Sequence, residues 1–161
     1  MKSVATVLAL LTGLPAMADT NLPFACDILE EINIAATLGA GTSYVPGILM
    51  ENAQVRLSLC SADTPDLSLR MTLMVRERLA ANGPDAATLR AQMVSELKDT
   101  IGNAAVIEER QIGDAAVWVG EIGQLTVWHR GGRVMFIFSP TPMRDRAAAE
   151  AAAAAVLDAF P

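Results

Sequence analysis

Apolar and polar positions alternate strictly through the middle of this chain, and the period changes on either side. Leu67, Leu69, Met71, Leu73 and Val75 fall on one side; Ser68, Arg70, Thr72, Met74 and Arg76 fall on the other. This two-residue period from Leu67 to about Arg76 predicts a strand with one buried and one wetter face. Just before it, Val55, Leu57 and Leu59 alternate with Gln54, Arg56 and Ser58, which predicts a partner strand. Asp63-Thr64-Pro65 between the two predicts a turn.

Helical spacing flanks this pair. Ile28, Leu29, Ile32, Ala35 and Ala36 predict a first helix over Asp27 to Leu38, with Asp27 as its cap and Gly39 and Gly41 as its stop. The passage with Tyr44, Pro46 and Gly47 reads as turns. Leu89, Met93, Val94, Leu97 and Ile101 form the apolar stripe of a second helix, from about Ala86 to Ile101. Three or four further strands are expected, over roughly Ala105 to Gln111, Ala115 to Val119, Gln124 to His129 and Arg133 to Ser139. Gly120 to Gly123 and Gly131-Gly132 supply the short links that hairpins require. An alanine-dominated helix from about Met143 to Phe160 closes the chain. Consecutive strands with short links predict an α+β fold: a mainly antiparallel sheet with helices packed on it, in the limit an α/β/α sandwich.

The first eighteen residues read differently. Met1 and Lys2 give a charged start, an apolar run extends from Val4 to Leu14, and Ala16-Met17-Ala18 offers a small-x-small cleavage site. These are the parts of a secretory signal peptide, so residues 1–18 are expected to be removed and 19–161 to form one globular domain beginning at Asp19. The run falls short of the roughly 20 residues of a permanent span, so no transmembrane anchor is expected in the mature form. Asp19 also stands where a lipoprotein would need its lipid-accepting Cys. The expected location is periplasmic or secreted.

That location changes the meaning of Cys26 and Cys60, the two cysteines of the chain. In an oxidising compartment such a pair reads first as a disulfide. Its closed loop would remove about 4 kcal/mol of unfolded-state entropy. A redox pair is usually Cys-x-x-Cys, and a zinc site would need ligands beyond one His.

The formal charge of −6 and the lack of a basic cluster set nucleic acid aside as a partner. No phosphate loop, dinucleotide fingerprint or His-Glu-x-x-His occurs, so no cofactor is expected. Arg56 and Arg70 could share the polar face of the strand pair, near Arg76 and Arg78, and hold a carboxylate or phosphate. Trp118 and Trp128 could stack in the core or line a pocket. His129, the single histidine, could serve a hydrolase if Ser139 or Asp114 approached it. Met50, Met71, Met74, Met93, Met135 and Met143 raise a copper reading through their thioethers, against core filling.

Cys26-Asp-Ile-Leu, the Leu38-Gly-Ala-Gly breaker, Cys60 and the run from Ile112 to Trp118 (Ile-Gly-Asp-Ala-Ala-Val-Trp) resemble short motifs of small exported proteins of unknown function. Such domains look like the PsbP-type α/β/α sandwich, also met in LpqN-like lipoproteins. The resemblance implies the fold and a non-catalytic role, and brings no substrate and no catalytic residue. The leading expectation is an accessory or binding domain that docks on an envelope protein or small ligand. A hydrolase using His129 and a methionine-based copper protein are the alternatives.

Overall fold

The computed structural model describes residues 22–102 and 105–161. The expected leader, residues 1–18, and the expected mature start at Asp19 lie outside them. The chain runs α1 (Ala25–Glu31), α2 (Ala35–Leu38), β1 (Ser43–Glu51), β2 (Val55–Asp63), β3 (Arg70–Arg78), α3 (Ala86–Ile101), β4 (Ile107–Arg110), β5 (Ala115–Val119), β6 (Gln124–His129), β7 (Val134–Thr141) and α4 (Arg146–Ala159). The strands form one antiparallel, open sheet in the order β1-β2-β3-β7-β6-β5-β4. With four helices packed against it, the fold is α+β.

The pairing register builds the core row by row. Cys60, Leu73, Phe138, Leu125 and Trp118 are successive neighbours across β2, β3, β7, β6 and β5. All five are buried, and they join Ile28 and Leu29 of α1 with Ala149, Ala152, Ala153 and Val156 of α4 in one cluster. Alanine at these α4 positions lets the helix axis lie close to the sheet. On the opposite face Ala115, Val117, Val119 and Trp128 pack with Leu89, Met93, Val94 and Leu97 of α3. Helices therefore cover both faces in an α/β/α layering.

Three local expectations change. The first helix is broken: Asn33 has φ 51° between α1 and α2. In an uninterrupted helix Ile34 would sit off the Ile28–Leu29 face; the break lets Ile34 become buried with them. Asp27 does not precede the helix but sits inside it, accepting a hydrogen bond from the Phe24 N–H at 3.3 Å. The passage read as turns is strand β1, an edge strand with a register shift between Pro46 and Leu49. Proline is tolerated there because an edge strand has one side with no partner for its N–H.

The phase of β2 is also informative. Its core face carries Ser58, Cys60 and Ala62, while Leu57 and Leu59 are only partly covered on the other face. The Cys26–Cys60 disulfide fixes this choice, with Cα atoms 5.1 Å apart, by tying β2 to α1. Beside it the Ala25 N–H donates to Ser58 Oγ at 3.0 Å. In β3 the alternation is as expected from Met71 to Val75, but Leu67 and Leu69 lie before the strand and are exposed.

Two predictions follow from these supports. Replacing both cysteines by serine should lower unfolding stability by about 4 kcal/mol, the entropy of the closed loop, read from urea titration; a loss near zero would contradict the staple. At the start of α3, Asp85 Oδ1 accepts from the Thr88 N–H at 2.7 Å. That bond holds the Asp85 carboxyl below its ordinary range. A depressed pKa supports the folded state above the ordinary carboxylate range and stops doing so as pH falls through the folded value. The protection of the Thr88 amide, its exchange rate corrected for the intrinsic pH dependence of amide exchange, should therefore fall on acidification in the wild type and change little over the same range in Asp85→Asn.

Candidate functional site

Arg56 and Glu77 stand opposite each other on the core face of β2 and β3. Glu77 is only 1% exposed. An ionised carboxylate buried that deeply must find donors. It finds the Leu22 N–H at 3.3 Å and Arg133 Nη2 at 3.3 Å. Arg56 answers on the same residue: its Nη1 donates to the Leu22 carbonyl. Its guanidinium carbon also lies 3.9 Å from the centre of the Phe24 ring, and its Nε lies 3.3 Å from Glu51. The peptide groups of Leu22 are thus gripped from both sides, which anchors the segment leading into α1. Arg56 is a structural clasp. Glu77 went unnoticed in the sequence, although the Met71–Leu73–Val75 alternation points to it as the next inward position.

Arg70 does not join Arg56. The two lie on opposite faces, because Arg56 shares its face with Glu77 and Arg70 is one step out of phase with it. Arg70 instead pairs with Asp63 directly across the ladder, through both Nε and Nη2. On that same outer face Arg76 and Arg78 border a cavity together with Trp128 and Met135.

The tryptophans are separated by the sheet. Trp118 belongs to the core under α1 and α4, and Trp128 to the cluster under α3. His129 Nε2 lies 3.1 Å from the Phe160 carbonyl oxygen. Asp114 accepts from the Gly131 N–H, and Ser139 sits on the other sheet face from His129, opposite Thr72. Ser139 therefore stands across the sheet from this ring, while Asp114 is engaged at the β6–β7 hairpin. The methionines serve separate places: Met71 is buried under α1, Met93 of α3 and Met135 of β7 pack on the cluster between that helix and the sheet, and Met50 and Met143 are exposed. Among the described residues no three His, Cys, Asp or Glu side chains converge in a metal-binding group. No helix of the described residues is long and apolar enough to cross a membrane.

The largest departure from an ordinary surface is on β1. Val45, Ile48, Leu49 and Met50 are 50%, 59%, 62% and 43% exposed within one nine-residue strand. At the register shift between Pro46 and Leu49, Gly47 and Ile48 border a cleft of about 170 Å³. Phe24, Ala25, Cys26, Pro46, Leu49 and Leu59 make its walls predominantly apolar. As an edge strand, β1 also presents backbone N–H and C=O groups with no partner strand on its outer side.

Comparison with protein-family models, curated proteins and solved structures finds no match to this chain.

The clasp gives a direct test. Glu77→Gln keeps the shape and removes the charge facing Arg133 and the Leu22 N–H. Since Arg133 is partly solvated, the cost should be about 2 kcal/mol, less than for a fully buried pair. Leu22 and Ala25 amides should exchange faster in this variant while amides of β6 change little.

Proposed function

We propose that this chain is a non-catalytic accessory domain, exported to the periplasm or secreted, that binds an extended apolar segment of an envelope protein along β1. The observation carrying this reading is the row of exposed apolar side chains on an edge strand. Edge strands are usually blunted by charge, because free backbone groups beside apolar side chains invite pairing. Here the charge is missing between Val45 and Met50, and the cleft beneath the bulge can take one apolar side chain of a paired segment. Strand addition of this kind draws affinity from main-chain hydrogen bonds and specificity from such a pocket.

The occupant is a different protein because copies of this chain, at a net charge of −6, repel one another. A small ligand is the poorer occupant of this cleft, whose walls offer few polar groups to orient one. The disulfide and the leader-like first eighteen residues support an oxidising compartment. The kinship to PsbP-type exported domains belongs to the same proposal.

A photo-crosslinking amino acid at Ile48 or Leu49, in cells that make the protein naturally, tests it. One discrete heterologous adduct is expected from these positions and none from Leu67 or Met143, which are equally exposed and apolar but lie elsewhere. Leu49→Lys should reduce the adduct from Ile48 by about tenfold, the cost of placing a charge in an apolar contact. An adduct with a second copy, or equal adducts from all four positions, would overturn the proposal.

A further inference from the structure

A separate site lies on the outer face, where the N-terminal end of α3 meets β3, β7 and β6. The register sets it up: Arg76 is the neighbour of Met135, which is the neighbour of Trp128. These three side chains therefore stand in one row on one face. Leu89 of α3 closes over the row, and Arg78 and Arg133 stand beside it, around a cavity of about 200 Å³. Gly132, at φ 83°, makes the enclosure possible. A Cβ there would lie 2.7 Å from the Ala86 nitrogen, so only glycine lets the β6–β7 hairpin close onto the start of α3.

The charges around the cavity are not balanced. Arg133 reaches Glu77 at 3.3 Å. Arg78 donates from Nη1 to the Pro84 carbonyl at 3.2 Å, with no carboxylate within ion-pairing distance among the described residues, and its buried Nε makes no hydrogen bond. Arg76 is exposed and has no carboxylate partner among the described residues. The nearby carboxylate of Asp85 is occupied in capping the Thr88 N–H. Elsewhere Arg56, Arg70, Arg90, Arg110 and Arg146 each pair with a carboxylate. Two uncompensated guanidinium groups beside one cavity, in a chain of net charge −6, form a local reversal of sign.

We propose that this cavity binds a small amphipathic carboxylate, an acid group on a compact apolar body of about one ring. Guanidinium donors match a carboxylate in plane, two bonds at a time. Trp128, Leu89 and Met135 offer the apolar body a largely hydrocarbon wall. Volume sets the size, since cavities of about 150 Å³ hold a benzene ring. The site is independent of β1 and of the docking proposed there.

Benzoate is a suitable probe. The chain has two tryptophans, so its indole N–H resonances give one reporter inside the site and one on the far side of the sheet. They can be assigned with Trp128→Phe or, should that variant not fold, with Trp118→Phe. Benzoate titrated to about 10 mM, the range of weak fragments, should shift the Trp128 signal saturably and leave the Trp118 signal in place. Arg76→Gln, at an exposed position, should weaken binding about tenfold, and benzyl alcohol should bind no better than benzoate does to that variant. No shift at Trp128, equal affinity in Arg76→Gln, or an equal response to inorganic phosphate would each overturn the proposal.

Discussion

The structure is governed by a mismatch between the width of its sheet and the number of helices available to cover it. Seven strands at about 4.8 Å spacing span roughly 30 Å, whereas a helix with its side chains covers about 10 Å. On one face α1 sits over β2 and β3, and α4 over β6 and β7. Those two helices, with Ile34 and Leu38 from the α2 region, enclose the larger core. On the other face α3 is stationed over β5 and β6. Toward β1 and β2 that face carries Val45, Met50, Leu57 and Leu59 in partial or full exposure. One helix short, the outer face has an open apolar margin and a border where coverage stops.

The inner face is secured by polar chemistry at its own margin. Beyond Val75 and Ser58 the rows end in Glu77 and Arg56, and the helices do not extend over them as an apolar lid. The chain before α1 takes that place, held through its peptide groups by the two opposite charges and through Ala25 by Ser58. The disulfide then joins this segment to β2 one residue further along. Hydrogen bonds and a covalent link thus close a corner that no long helix reaches. This explains why β2 turns Ser58, Cys60 and Ala62 inward and leaves its leucines on the thinner side.

Much of this was legible in the sequence, and the exceptions share a cause. The α+β class, the β3 alternation, the α3 stripe, the glycine-linked hairpins and the Cys26–Cys60 pair depend on local period or residue type, which a linear reading captures. β1 was hidden because Pro46 and Gly47 signal turns unless the strand is known to be an edge. The phase of β2 was hidden because hydrophobicity favoured Leu57 and Leu59, whereas the disulfide and Ser58 set the inward side. Arg56 and Arg70 were both assigned to the polar face by the two-residue period, and the inverted phase of β2 separates them. Trp128 was identified as a candidate lining residue, but its neighbours Arg76 and Met135 depend on the β3–β7 pairing, which joins segments about 60 residues apart.

The two open places differ in chemistry because different elements border them. At β1 the cleft opens beside the start of α1 and is bordered by an unpaired strand edge, so what it offers is a strip suited to another strand. Beside α3 the helix start, the hairpin and β3 converge, and the space between them is enclosed enough to have a defined volume. Arginines suit that border: their aliphatic stems lie on apolar surface while their charged ends stay hydrated. Arg76 and Arg78 can therefore line a partly apolar cavity without a carboxylate partner among the described residues. The same shortage of cover thus produces an extended surface at one end and a small charged cavity nearer the middle, and neither needs the other to be occupied.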